Sequence, residues 1–515
     1  MRRQDVQLVA NARQGDVLAR CEIGRRYLLG IDGFPRHVPL GLEYLAHPSV
    51  AGSTSASVIV AEALPLHRIV ALEQGPLLLS VAAKESIAAQ VKLGIWKCMT
   101  SRDPADSRKW FDIAARSGHK GASAALKALT ATPIEARLGV LSALARTPGV
   151  DGAEIVMLAM SSAMRADDSE LIAQTLACLL HLVPGASPDV ADFVLAVLER
   201  AQHSSRLSFD ASSERIEQCL ENCAQRGSAG AALMLGRALC GIDDGALVAT
   251  SLVTTQNMRR GAAMLLRAAD AGKHEAWQLL HRVHSDNRAS VANPLMARFF
   301  LEKAAASGAA LAQRRFGVLI LRSAATLHES EQGIRWLHEA AKAQDTLAAC
   351  LLQSLVLPVH GHEDVATAAI EAIRSEDPWM ACRLRTARDF GLTKLEGLSV
   401  DLATAVRTWG LVVGVNPFVV QAKRSAPRAV PSLTEAASQN LRRSANLFGQ
   451  SSQDGGPFEG DLRKRSMRLR GLLERHGADE SMFFADVSST ALETLRIGTK
   501  WAFHERKRLR LALAA

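Results

Sequence analysis

Small and apolar residues recur at fixed spacing between Met264 and Cys350. Met264, Ala268, Ala269, Gly272 and Ala276 are followed by Phe300, Ala304, Ala305, Gly308 and Ala312, then by Trp336, Ala340, Ala341, Gln344 and Ala348. Each set lies 36 residues after the one before it. Around Gly308 the apolar positions (Leu301, Ala304, Ala305; Leu311, Phe316, Leu319) have helical spacing, which predicts two helices with one buried stripe each. Glycine at the turn can go left-handed just past a helix end and reverse the chain. Alanines beside it let two antiparallel helices approach closely, and a large anchor covers the next pair, because one pair cannot bury its own face. The pattern predicts an all-α chain, an α-solenoid of antiparallel helix pairs.

The register extends in both directions. Ala12, Gly15, Ala19 and Gly24 fit it near the start, followed by Tyr44, Gly52 and Ala56, then by Ala82, Ala89 and Gly94 with Glu85 at the turn. Trp110, Ala114, Ala115, Gly118 and Ala122 fit next, and Cys219, Cys223, Ala224, Gly227, Ala231 and Gly236 resume it later. Pro133 to Ala211 reads as divergent helix pairs broken at Pro148-Gly149, Pro184-Gly185 and Pro188. Ala381, Leu384 and Ala387 through Gly391, with Asp401, Ala405 and Trp409, read as one more unit. The expected division is 1–130 and 212–420 as repeats, 131–211 as divergent repeats, 421–460 as a linker with a short helix, and 461–515 as a basic helical segment. Trp110, Phe300, Trp336 and Trp409 are expected to be packing anchors.

The A-x-x-x-x-G-x-x-Y-x-x-G pattern of Ala19 to Gly30 and the W-x-x-x-A-A-x-x-G pattern of Trp110 to Gly118 resemble the Sel-one-like repeats, relatives of the tetratricopeptide repeats. The resemblance covers most of residues 7–412, with Glu85, Gln344 and Asp377 in place of the turn glycine and His281 and Gln353 in place of a helix glycine. It implies a right-handed superhelix and a non-enzymatic, regulatory adaptor for protein partners in a bacterial cell. Small-molecule substrates and cofactors are not expected.

Composition agrees with helix. Aromatics make up 4% and Pro numbers 17, so strand formers are thin. The eight cysteines contain no C-x-x-C, which points to a reduced, cytoplasmic protein. Met1-Arg2-Arg3-Gln4-Asp5 precedes no apolar run of signal-peptide length. Thr408 to Val420, at 13 residues, is too short to span a bilayer, which needs about 20. The net charge of +9 is uneven: residues 422–515 hold 17 Lys+Arg against 10 Asp+Glu.

No catalytic, cofactor or metal site emerges from the residues. Cys219 and Cys223 could form half of a metal site, but they occupy packing positions of the register. His360, His362, Glu363 and Asp364 read as a solvated loop that starts a helix, and His274, His281 and His284 lie near one helix stripe without a third matching ligand. Gly455-Gly456 lacks the rest of a phosphate loop. One feature competes with the repeats for function. Arg463, Lys464, Arg465, Arg468, Arg470 and Arg475 form one basic cluster, and Arg506, Lys507, Arg508 and Arg510 form another beside Trp501, Phe503 and Leu509. They could cap the last repeat, or bind a polyanion or an anionic membrane surface.

Overall fold

The computed structural model describes residues 3–46, 50, 53–185, 187–202, 212–243, 247–414, 427–453, 459–487, 492, 495, 501–502 and 505–514. It divides into two compact units, Met1–Lys273 and His274–Ala515. Each is a run of antiparallel helix hairpins packed on their sequence neighbours. Arg108–Arg116 with Lys120–Ala128, and Ser213–Gln225 with Ala229–Leu239, are hairpins of the first unit. Between them lie Pro133–Leu144, Gly152–Ala166, Ser169–Leu182 and Pro188–Gln202. The second unit contains Pro294–Ala306 with Ala310–Ser323, Leu327–Lys342 with Thr346–Gln353, and Glu363–Arg374 with Pro378–Asp389.

The turns share one construction. Gly15, Gly118, Gly227, Gly272 and Gly308 are all left-handed, with φ between 87° and 100°. At Gly308 the glycine N–H donates to Ala305 O at 3.1 Å and the next N–H donates to Ala304 O, closing the helix end. The following residue then caps the second helix: Asp16, Ser228 and Asp345 accept from the N–H groups of Leu18, Ala231 and Ala348. Gln344 makes the same turn bonds at φ 68°, without glycine's freedom. Asp377 does not act as a turn residue. It is extended, at φ −138°, and caps Pro378–Asp389 by accepting from Met380 N–H. Glycine also serves inside helices. A Cβ on Gly317 would meet Gly333 O at 2.9 Å, so these two glycines set the approach of neighbouring hairpins.

Phe300 and Trp409 are buried anchors, and Trp336 packs half-buried beside Phe316. Trp110 is a correction. Its neighbour Phe111 is fully buried and fills the space left by Gly94, whereas Trp110 is half-buried with the Lys109 ammonium 5.3 Å from its ring.

The segment after Gly391 departs from the helical expectation. Ala381, Leu384 and Ala387 lie in Pro378–Asp389, but Ala405 and Trp409 flank a three-stranded antiparallel sheet ordered β1-β2-β3. The strands are β1 (Val406–Arg407), β2 (Gly410–Val413) and β3 (Arg428–Pro431), with Leu411 opposite Val430 and Gly410 opposite Pro431. Every residue of β2 and β3 is buried, which fits a short apolar run bounded by Gly410 and Gly414 better than a helix. Arg428–Pro431, read from sequence as linker, is therefore a core strand; residues 415–426 lie outside the described residues. Thr434 accepts from Ala437 N–H at the start of Glu435–Gln453, which at 19 residues is longer than the short helix expected and includes Gly449. Gly455-Gly456 lies outside the described residues.

Two C-terminal helices dock onto the second unit. Leu462–His476 buries Leu469, Leu472 and Leu473 against Glu363–Arg374 and Lys394–Ser399. Arg506–Ala514 lies against Ala310–Ser323 and Thr346–Gln353, burying Leu509 and Ala512. No described helix is long and apolar enough to cross a membrane.

Candidate interaction surface

Pro294–Ala306 begins at Asn293, whose side chain accepts from Leu295 N–H and Met296 N–H, with Pro294 preset for the first turn. One face buries Ala297, Phe300, Leu301, Ala304 and Ala305. The other leaves Leu295 81%, Met296 39% and Phe299 44% exposed. Phe299 is held in place: it meets Phe300 edge-on at 5.5 Å, and the Lys303 ammonium lies 5.4 Å from its ring. Phe300 in turn stacks on Trp277 at 6.0 Å. Leu295, Phe299 and Lys303 form one stripe, four residues apart.

The repeat gives an internal control. One register step on, the equivalents of Leu295, Met296 and Phe299 are Glu331, Gln332 and Arg335. Glu331 pairs with Arg407 at 3.2 Å, and Arg335 is exposed. The packing positions stay small or apolar in both units while the outward stripe changes from apolar to charged. Folding the hairpin therefore does not require Leu295 or Phe299.

The titratable groups singled out in the sequence have structural partners. Cys219 and Cys223 are buried on Ser213–Gln225, and Cys223 Sγ lies 3.3 Å from Arg226 Nη2 and 3.9 Å from Asp192 Oδ1. The Cys219 thiol and the Arg226 guanidinium hold the Cys223 thiol below its ordinary value, while the same contact and burial push Cys219 up. Among the described residues no three His, Cys, Asp or Glu side chains are grouped to hold a metal ion. His281 Nδ1 pairs with Ala297 O at 2.9 Å, and His284 lies against Phe300; burial lowers both pKa values, favouring neutral rings. Glu363 is gripped by Arg385 and Arg388, both at 2.7 Å, and Arg388 also donates to the carbonyls of His360 and Gly361. The His360–Asp364 loop is thus tied down by arginine.

The basic C-terminal cluster divides in two. Arg465 donates to Leu398 O at 2.8 Å, Arg468 pairs with Asp377, Arg475 with Glu376 and Arg508 with Glu505. Arg463, Lys464, Arg470, Lys507 and Arg510 are exposed, and Met467 stands 66% exposed among the first three.

Sequence reasoning missed a set of buried cations that hold helix ends. Arg137 is fully buried and donates to the carbonyls of Cys98, Ser101 and Arg102 at the end of Ile87–Thr100. Arg383 grips Glu459 through two bonds, 2.7 and 2.6 Å, and donates to Gly397 O and Val400 O. Arg428 does the same with Glu396, both residues being fully buried, and reaches Gly391 O at 3.0 Å. The available signal was position: Arg137 sits on the stripe of Val140, Leu141 and Leu144, where a core residue is due.

No family model and no curated protein matches the chain. Among solved structures it is similar to a protective antigen of uropathogenic Escherichia coli strains displaying an SLR fold, at 15% identity over 99% of this chain and 96% of that one, with a TM-score of 0.28. It is also similar to a Sel1 repeat protein from Oxalobacter formigenes, at 21% identity over 68% of this chain and 90% of that one, with a TM-score of 0.26. The chain's own 36-residue register, realised as helix hairpins closed by left-handed turns, makes it a helical-repeat protein.

Proposed function

We propose that this chain is a non-enzymatic scaffold that holds another polypeptide, in a regulatory role in the bacterial cytoplasm. The observation that carries this reading is the Leu295–Phe299 stripe, apolar and exposed at positions where the next repeat is charged. Contiguous exposed apolar side chains mark interaction sites, and buried aromatic anchors carry much of an interface's energy. The test is affinity capture with the full chain and with Leu295→Asp/Phe299→Asp. Wild type should retain a partner that the double variant loses by at least tenfold, with thermal melting unchanged. Equal capture by both proteins would refute the stripe as the contact.

A second reading, attachment to a polyanion or an anionic membrane surface through the C-terminal segment, is favoured by one observation. Met467 is exposed between Arg463, Lys464 and Arg470 on the outer side of Leu462–His476.

A further inference from the structure

The first unit contains a pocket of about 470 Å³ between Val38–Ala46, Thr54–Ala63 and Gly75–Ala82. Leu45, Val50, Ala56, Val60 and Leu78 are among its walls, and Leu77, 62% exposed, stands at its rim. Among the described lining residues two are polar, Ser57 and Gln74, and none is charged or aromatic. Gln74 is exposed, but Ser57 is 7% exposed. The helical serines Ser80 and Ser161 return their hydroxyls to a carbonyl of their own helix, whereas Ser330 leaves its buried hydroxyl unpaired. The Ser57 hydroxyl makes no hydrogen bond to any described residue. That hydroxyl is not among the buried side-chain atoms left without a partner, so its oxygen keeps a solvent-facing side and is open to a group that enters this otherwise aliphatic pocket.

We propose that this pocket binds a neutral aliphatic molecule with one hydrogen-bonding oxygen, of the fatty-alcohol or fatty-ester class, whose oxygen meets Ser57. The volume falls within the range of small-ligand sites. Aliphatic walls select hydrocarbon through contact and exclusion of water. The described lining residues offer no cation for a carboxylate or phosphate, and burying an unpaired anion against them is strongly unfavourable. The Ser57 hydroxyl can donate to a carbonyl or alcohol oxygen, or accept from an alcohol, so it fixes the polar end of the chain. This site is independent of the Leu295–Phe299 stripe.

The experiment titrates the full chain with octan-1-ol, and separately with octanoate at pH 8, by saturation-transfer NMR or calorimetry. Octan-1-ol should bind saturably and octanoate at least tenfold more weakly. Ala56→Phe, which fills the pocket, and Leu77→Asp, which alters only the exposed rim, should each weaken octan-1-ol at least tenfold. Ser57→Ala should weaken it severalfold while leaving octane binding unchanged. Absence of saturable octan-1-ol binding, equal binding of octanoate, or full binding by a folded Leu77→Asp chain would each overturn the proposal.

Discussion

Gln344 carries a strain that Gly308, one repeat earlier, does not. Both close the same turn through the same backbone bonds, yet Gln344 holds φ at 68° with a side chain that is exposed. A left-handed residue with a Cβ costs roughly 1–2 kcal/mol. Gln344→Gly should therefore raise the unfolding free energy by about 1 kcal/mol, allowing for the extra freedom glycine gives the unfolded chain. Gly308→Ala should lower it by a similar amount. Denaturant titration, read as a midpoint shift at constant slope, checks both; a Gln344→Gly chain no more stable than wild type would show that the turn imposes no strain. The register located this turn from Trp336, Ala340, Ala341 and Ala348, even though glycine is missing. The same reasoning chose Trp110 over Phe111, because spacing marks an anchor to within a residue and the space above Gly94 decides which ring enters it.

Between elements, buried cations do work that hydrophobic periodicity hides. Lys92, on Ile87–Thr100, is 4% exposed and donates to Ala61 O at 2.6 Å and Leu64 O at 2.7 Å, where Thr54–Ala63 ends. It joins two helices by satisfying carbonyls that the second leaves open. Burial lowers its pKa from 10.5 to about 8, against a smaller opposing effect of Glu62. Between those values the unfolded chain binds the proton that the folded chain has released, so this residue's contribution to stability rises with pH from about 8 to 10.5. Stability of wild type measured relative to Lys92→Met should accordingly increase across that interval, by up to about 3 kcal/mol. A pH-independent difference would place the Lys92 charge in water. In the sequence the only trace of such residues is position, as with Arg137 on a core stripe; the carbonyls they satisfy lie on other elements. The sheet was missed for a related reason: Gly410–Val413 is four residues long, too short for its periodicity to distinguish strand from helix.

In the molecule as a whole, the helical-repeat architecture followed from the sequence, whereas the fate of the basic C-terminal segment did not. Charge can be counted, but the choice between solvent and carboxylate depends on partners such as Glu376 and Asp377, both distant in sequence. Removing residues 422–515 is consequently a poor test of polyanion binding, since it also strips Arg428 from the buried Glu396; losing one partner of such a pair costs about 3–5 kcal/mol. Replacing the exposed Arg463, Lys464 and Arg470 by Gln isolates the question. If this face binds anionic vesicles, affinity should fall steeply with salt and drop at least tenfold in the triple variant, with melting preserved. Vesicle binding that survives the substitutions would rule the face out.

The docking of Arg506–Ala514 also bears on how the second unit is made. Repeat arrays can add one hairpin at a time, each completed by its neighbour. Here Arg314 donates to Ala512 O at 2.9 Å across 198 residues, and Leu509 covers a cluster that includes Val318, Leu321 and Leu351. On a ribosome adding roughly 5–20 residues per second, about 10–40 s separate the synthesis of that cluster from the arrival of its cover. The middle hairpins must wait through this interval with apolar surface open to chaperones or to other nascent chains, and the unit reaches its final packing only once residues 506–514 have been made.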